Sequence, residues 1–123
     1  MLEKGSTQEL TEIVTKENTA DAVGNKSVFV YATPFLVALM ERTCIKLMEE
    51  DLDSGEVSVG TNINLDHLAP TPIGNKILCR AELLEQSGKK YVFDVKAFDN
   101  DKLIGKAIHT RYKVNLDKFL NNI

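Results

Sequence analysis

The sequence lacks tryptophan and contains only three prolines and two cysteines. Two cysteines are too few for a small secreted scaffold held together by disulfides. Cys44 and Cys79 also lack CxxC spacing and a local histidine cluster, so they make a poor zinc site. Both lie in apolar stretches. We therefore expect two reduced, buried thiols that pack as small hydrophobic side chains.

The sequence also lacks an excess of basic residues and any long apolar run. Fifteen Lys and Arg against eighteen Asp and Glu give a formal charge of -3, whereas a dedicated nucleic-acid binder normally has a basic excess. No apolar run approaches the ~18 residues that a membrane-spanning helix needs. Residues Met1 to Gln8 lack the apolar core of a signal peptide. We expect a cytoplasmic protein with no nucleic-acid and no membrane partner.

The length and composition predict one globular domain over residues 1–123, since 43% of the residues are hydrophobic and 27% are charged. Residues 9–17 read as a first strand, and residues 19–27, rich in Ala, Gly, Asn and Asp, read as a loop. Thr33-Pro34 is a helix-start signal, because Thr can cap free N–H groups and Pro suits the first helical turn. The predicted helix runs from Pro34 to about Asp51.

The rest of the sequence alternates with a period of two, which predicts four strands. Short polar connections at 87–89 and 99–101 predict hairpins and hence antiparallel pairing. The expected fold class is α+β, with one long helix packed against a curved antiparallel sheet. The four apolar stripes are Val57, Val59, Ile63, Leu65; Ile77, Cys79, Ala81, Leu83; Tyr91, Phe93, Val95, Ala97; and Ile104, Ile108, Tyr112, Val114.

Glu41 is the most informative residue of the helix, because its neighbours on the helical wheel are all uncharged. A carboxylate on an apolar face is costly unless it is paired or hydrogen-bonded. It either extends to solvent or caps a loop, or it belongs to a functional site, and we favour the functional interpretation. The wheel neighbours are Pro34, Val37, Ala38, Cys44, Ile45 and Met48.

Thr33 and His67 are weaker candidates. Thr33 needs no role beyond capping the helix, although a capping Thr can also contact a ligand at the positive end of the helix dipole. It lies eight residues before Glu41, about two helical turns. His67 falls on the apolar face of its strand, where a lone histidine is more often a core or edge residue than a catalyst.

His109 and Arg111 share the polar face of the last predicted strand. The simplest interpretation is a solvated sheet face, and pairing of Arg111 with a phosphate is the alternative. The sequence contains no glycine-rich phosphate loop, no GxSxG motif and no cluster of metal ligands, so we expect no metal site.

Three segments together resemble the hot-dog-fold acyl-CoA thioesterases, specifically the fluoroacetyl-CoA thioesterase-like family. They are Ala32-Thr33-Pro34 running to Leu39-Met40-Glu41, Val59-Gly60-Thr61 running to Pro70-Thr71-Pro72, and Leu103-Ile104-Gly105 running to His109-Thr110-Arg111. Each segment is a weak signal alone, but their order and spacing are fairly specific. The resemblance covers about residues 8–119.

The resemblance implies a homodimer of hot-dog subunits that hydrolyses an acyl-CoA thioester without a cofactor. It implies Thr33, Glu41 and His67 as catalytic residues and Gly60 near the thioester, and we add Arg111 as a substrate-binding candidate. The family's fluoroacetyl-specific enzyme has phenylalanines ahead of the catalytic helix, whereas residues 20–27 here contain no aromatic residue. We therefore expect use of short to medium acyl chains rather than selectivity for fluoroacetyl-CoA.

Three other functions stay open on this fold, because a fold does not determine a function. The first is a module that binds acyl-CoA or acyl-carrier protein without catalysis. The second is a hydratase acting on an enoyl thioester. The third is a structural dimerisation domain, which predicts neither binding nor turnover.

Overall fold

A computed structural model describes residues 2–123 as one five-stranded antiparallel sheet and one long helix. The strands are β1 (Thr7–Ile13), β2 (Glu56–His67), β3 (Lys76–Ser87), β4 (Lys90–Asp99) and β5 (Lys102–Asn115), in the spatial order β1-β3-β4-β5-β2. Helix α1 (Thr33–Met48) precedes β2, and a short helix α2 (Leu116–Asn121) follows β5. The predicted α+β architecture is confirmed. No helix within the described residues has the length and apolar character of a membrane span.

The first strand and the helix both end earlier than the sequence predicts. β1 ends at Ile13 because the Asn18 side chain donates to the Ile13 carbonyl and accepts from the Thr15 N–H, which turns the chain into a 3-10 helix over Lys16–Asn18. Helix α1 ends at Met48, and its last turn tightens into a 3-10 helix over Glu49–Asp51. Such tightening is common at helix ends.

The segment between β1 and α1 is more regular than the predicted loop. A second 3-10 helix covers Ala20–Val23. Its start is hydrogen-bonded to the following chain, because the Ala20 N–H donates to the Val30 carbonyl and the Asp21 N–H donates to the Val28 carbonyl. The segment therefore folds back on itself and is held in place before α1 begins.

The core lies between α1 and one face of the sheet, which we call the inner face. The apolar stripes predicted on β3 and β4 are confirmed, since all eight of their residues are buried. Cys44 of α1 and Cys79 of β3 are buried free thiols, as expected. The other buried residues of α1 are Leu36, Leu39, Met40, Thr43, Leu47 and Met48.

The stripe predicted on β5 is wrong beyond its first residue. The pairing of β5 with β4 shifts at Ile104, which has no residue opposite it. A one-residue insertion of this kind, a β-bulge, reverses the face to which all later residues point. Ile104 and Ala107 are buried, whereas Ile108 is 43% exposed. The inner face of β5 therefore continues through His109 and Arg111.

The stripe predicted on β2 is divided by a second bulge at Thr61. Gly60 pairs with Arg111, but Asn62 pairs with Thr110, so Thr61 is the extra residue. Val57 and Val59 consequently lie on the outer face. The residues that keep the inner face after the bulge are Ile63, Leu65 and His67.

Candidate active site

Thr33 is the first residue of α1, and its side chain faces the end of β2. Ala32 occupies the N-cap position, and Pro34 lies in the first turn as the sequence predicts. The predicted capping role of Thr33 is wrong: its Oγ1 lies 2.8 Å from His67 Nδ1 and caps no backbone N–H. Because Thr33 is already helical, its hydroxyl is available to a neighbouring element. The structure thus brings two of the candidate residues into direct contact.

His67 closes β2 and is half-buried. Burial lowers its pKa below the ordinary histidine value. The ring is therefore neutral at neutral pH, with one nitrogen that donates and one that accepts. The Thr33 hydroxyl is hydrogen-bonded to Nδ1, whereas Nε2 is buried without a hydrogen-bond partner among residues 2–123. An unpaired buried nitrogen is costly, so a hydrogen-bond partner at Nε2 would be stabilising.

Glu41 lies two turns further along α1 and is paired with a buried cation. Its Oε2 accepts a hydrogen bond from Arg111 Nη1 at 3.2 Å, and its side chain is 39% exposed. The apolar neighbours within α1 are real, but the charge is balanced by a residue of β5. A charge-assisted contact of this kind fixes the carboxylate and orients it.

Arg111 and His109 do not lie on a solvated face, so that prediction is wrong. They are 3% and 1% exposed, because the bulge at Ile104 turns them toward α1. Besides Glu41, the Arg111 guanidinium donates from Nε to Ser58 Oγ and from Nη2 to the Ser58 carbonyl, each at 2.9 Å. The assignment of Arg111 to substrate binding stays a prediction. Ser58 is a contact that the sequence analysis missed.

Gly60 leaves room for the Glu41 carboxylate. A Cβ atom built on Gly60 would lie 2.7 Å from Glu41 Oε2 and 3.0 Å from Arg111 Nη1. Both distances are shorter than ordinary van der Waals contacts. Any larger residue at this position would have to displace the ion pair. The predicted position of Gly60 near a thioester stays a prediction, but its contact with Glu41 is part of the structure.

The candidate residues form two clusters along α1. Thr33 and His67 form the first, and Glu41, Gly60, Arg111 and His109 form the second. Eight residues of helix separate Thr33 from Glu41, which is roughly 12 Å along the axis. The first cluster opens into a groove of about 320 Å³ with mixed polar and apolar walls. Apolar wall residues of this groove are Val28, Val30, Ala32, Leu68, Ala69 and Pro70.

Neither cluster resembles a metal centre. Within residues 2–123, no three His, Cys, Asp or Glu side chains are grouped so that they could hold a metal ion. The first cluster instead offers a hydroxyl and an imidazole beside a groove. The second offers a carboxylate held by a guanidinium. These groups suit acid–base or nucleophilic chemistry on a carbonyl compound.

Comparisons with known proteins identify the family of the chain. The family model described as "FlK: Fluoroacetyl-CoA-specific thioesterase" matches residues 14–117. The fluoroacetyl-CoA thioesterase of Streptantibioticus cattleyicolor is 40% identical over 90 residues. That match covers 73% of this chain and 65% of the relative, just under two thirds of the relative's length.

Two solved structures show the same fold. A crystal structure of a mutant of the fluoroacetyl-CoA-specific thioesterase FlK matches with a TM-score of 0.93 and 30% identity, over 99% of this chain and 95% of that chain. A hot-dog-like protein from Thermanaerovibrio acidaminovorans matches with a TM-score of 0.89, over 97% of this chain and 88% of that chain. At 19% identity the second match shows the fold alone. The fold is therefore the hot-dog fold, and the chain belongs to the family of the fluoroacetyl-CoA-specific thioesterase FlK.

Proposed function

We propose that this protein hydrolyses acyl-CoA thioesters, with Thr33, Glu41 and His67 as its catalytic residues. The observation that carries the proposal is the hydrogen bond between Thr33 and His67 at the start of α1, beside a groove with mixed polar and apolar walls. Membership of a thioesterase family supports the reaction class. The acyl group lies in the groove, and the thioester carbonyl lies at the helix start.

The start of α1 offers one backbone donor for that carbonyl. The Ala32 N–H donates to the Asn18 carbonyl, and the Phe35 N–H donates to the Ala32 carbonyl. Pro34 has no N–H. The Thr33 N–H is therefore the donor that stabilises negative charge developing on the thioester oxygen, helped by the positive end of the helix dipole.

His67 and Glu41 supply the remaining chemistry. Nε2 of the neutral His67 ring has no partner within the protomer, so it exchanges a proton with water or with the leaving thiolate once one of them reaches this buried atom. Glu41 either activates the attacking water or attacks the thioester carbon itself. In both mechanisms, Arg111 holds Oε2 and leaves Oε1 for the reaction.

The catalytic set is completed by a second copy of the chain. Within one protomer Glu41 lies two turns from Thr33, too far for both to reach one carbonyl carbon directly. β2 is an edge strand of twelve residues, and such edges pair readily with another chain. In antiparallel pairing of two β2 edges about their middle, the His67 end of one strand lies beside the Gly60 end of the other. Gly60 lies against Glu41, so each site combines residues of both subunits.

Mixing two inactive variants tests this homodimer. In the shared arrangement, His67→Ala and Glu41→Ala subunits form mixed dimers that contain one complete site and one site lacking both residues. Random exchange makes half of the dimers mixed, so about one quarter of the wild-type activity returns. Failure to regain activity, in subunits shown to exchange, would place the site within one protomer. Light scattering that shows only fully active monomer would also refute the dimer.

The groove sets the range of substrates. Its volume of about 320 Å³ is at the lower end of small-molecule sites, which suits short to medium acyl chains. Residues 20–27 contribute no aromatic side chain, although Phe29 follows shortly after and is 44% exposed. We propose that fluoroacetyl-CoA is not strongly preferred. The cytoplasmic location stays a prediction from the sequence.

A panel of acyl-CoA substrates with a free-thiol readout tests the activity. We expect thiol release from wild type, and a loss of about 10²-fold or more in His67→Ala if the ring is a general base. Acyl-CoA binding without thiol release would indicate a non-catalytic binding module. Loss of enoyl absorbance without thiol release would indicate a hydratase. If the protein shows neither acyl-CoA binding nor turnover, a structural dimerisation domain is the remaining interpretation.

A further inference from the structure

His109 is a buried residue of the second cluster to which the reaction assigns no role. Its side chain contacts three groups of the site. Nδ1 lies 2.8 Å from the Asn62 carbonyl oxygen, and Nε2 lies 3.2 Å from Arg111 Nη1. Nε2 is also 4.0 Å from Glu41 Oε2. His109 therefore sits directly behind the Arg111–Glu41 pair.

The two hydrogen bonds of His109 determine its tautomer. A backbone carbonyl can only accept, so Nδ1 must carry the proton that is shared with Asn62. A guanidinium can only donate, so Nε2 must be the unprotonated nitrogen that accepts from Arg111. A second proton on Nε2 would point at Arg111 Nη1 and place two cations in contact. The geometry thus permits only the neutral ring with hydrogen on Nδ1.

Arg111 is held from both sides by acceptors. Ser58 accepts from Nε and Nη2, and His109 accepts from Nη1. Nη1 also donates to Glu41 Oε2. Without the His109 acceptor, Nη1 would have one partner fewer and the planar guanidinium could tilt about its Ser58 contacts. Any such tilt moves the oxygen that it binds.

We propose that His109 is a positioning residue that acts through Arg111 to fix the carboxylate of Glu41. The Asn62 carbonyl, which follows the bulge at Thr61, fixes the position of the ring. The ring in turn fixes the position of the guanidinium. Arg111 then binds Oε2, and Oε1 keeps one direction toward the thioester. The inference rests on the proposed catalytic role of Glu41.

The charges around His109 agree with a neutral ring. Glu41 faces it from α1 and Arg111 lies beside it on β5, while Cys44 of α1 lies close to Arg111. Burial, the largest cause, and the Arg111 charge lower the pKa of His109, whereas Asn62 and Glu41 act in the opposite direction. The acceptor on Nε2 is therefore available at neutral pH.

Two substitutions separate the two hydrogen bonds. His109→Asn retains a donor at the position of Nδ1 but removes the acceptor for Arg111. His109→Gln places a carbonyl oxygen near the position of Nε2 and restores that acceptor. A misplacement of about 1 Å can cost about 10²-fold in rate, so we expect kcat in His109→Asn to fall by about 10- to 100-fold. KM should stay within about twofold, and His109→Gln should recover most of the rate.

Phe93→Leu is the matched control. Phe93 is buried directly opposite His109 on β4, so its truncation disturbs packing at the same place without removing an acceptor. We expect its kcat to stay near wild type. The proposal is wrong if kcat of His109→Asn stays within about twofold of wild type, if His109→Gln is as slow as His109→Asn, or if Phe93→Leu is equally slow.

Nitrogen NMR of wild type tests the arrangement independently of activity and of the folding of the His109 variants. The chain has only two histidines, so a His67→Ala spectrum assigns the signals. We expect a protonated Nδ1 and an unprotonated Nε2 for His109 at neutral pH. A proton on Nε2 would overturn the proposal. Absence of thiol release from wild type would instead refute the proposed function, and the NMR result would still decide the arrangement of His109.

Discussion

Replacing Glu41 by alanine is expected to stop turnover and also to destabilise the fold. From the sequence alone, removal of a charge from an apolar face should cost nothing, unless a buried cation depends on it. Arg111 is that cation: its side chain is only 4% exposed, and Glu41 is its one acidic partner among the described residues. The alanine variant leaves the guanidinium buried without its counter-charge.

The exposure of the two partners bounds the loss of stability. Removing one partner of a fully buried pair costs about 3–5 kcal/mol, whereas exposed pairs contribute about 1 kcal/mol or less. Because the Glu41 side chain is 39% exposed, we expect an intermediate loss in the free energy of unfolding, about 1–3 kcal/mol. For a chain of 123 residues, this lowers Tm by about 4–12 °C.

Thermal unfolding and thiol release, measured on the same samples, separate the two effects. Glu41→Gln keeps an oxygen that accepts from Arg111 but removes the charge, so its stability loss should be smaller while its turnover still falls by at least about 10²-fold. Glu50→Ala removes an exposed carboxylate just beyond α1 and should change stability by less than about 0.5 kcal/mol. Protein concentrations must match, because the Tm of a dimer depends on concentration.

Two results would refute this reasoning. If Glu41→Ala has the same Tm as the Glu50→Ala control, the buried Arg111 does not need the Glu41 carboxylate for the fold to be stable. If Glu41→Ala or Glu41→Gln releases thiol at the wild-type rate, Glu41 has no part in the mechanism. The two outcomes are independent, so the structural and the catalytic role of Glu41 can fail separately.

Three further predictions follow from the same contacts. Gly60→Ala puts a Cβ 2.7 Å from Glu41 Oε2, so kcat should fall by about 10-fold or more, and an unchanged kcat would show that the carboxylate moves freely. Burial lowers the pKa of His67 and His109, so the unfolded chain binds more protons below about pH 6.5. The free energy of unfolding should therefore be highest above that pH and should decrease as the pH falls toward the folded-state pKa values. Denaturant titrations that give the same free energy of unfolding at every pH would contradict this. Because residues 20–27 lack an aromatic gate, kcat/KM for fluoroacetyl-CoA should exceed that for acetyl-CoA by far less than about 10³-fold, and a larger ratio would disprove the argument.

The sequence predicts the fold where its period is uninterrupted. The stripes of β3 and β4 alternate without a break as far as Leu83 and Ala97, so their buried faces could be identified correctly. The helix could be located because Thr33-Pro34 marks its start and its apolar surface is wide. The capping role assigned to Thr33 failed because a Thr at a helix start also suits the first helical position, and only the contact with His67 distinguishes the two.

The errors on β2 and β5 share one physical cause. Each strand contains a one-residue bulge, and alternation counted across a bulge assigns the residues on its two sides to one face although they lie on opposite faces. A signal was present, because an isolated glycine within a strand often marks a bulge. Gly60 directly precedes the bulge at Thr61, and Gly105 directly follows the bulge at Ile104.

The two bulges also explain why a site of this polarity can exist in a domain of this size. Without the bulge at Ile104, Arg111 would point to solvent and Glu41 would have no cation on the inner face. The carbonyl of Asn62, directly after the bulge at Thr61, holds the ring of His109. The partner of Glu41 lies 70 residues away in the sequence, so no local pattern could reveal that pair. The polar cluster is therefore a product of strand register, and changes that shift the register of β2 or β5 should disturb the site before they disturb the core.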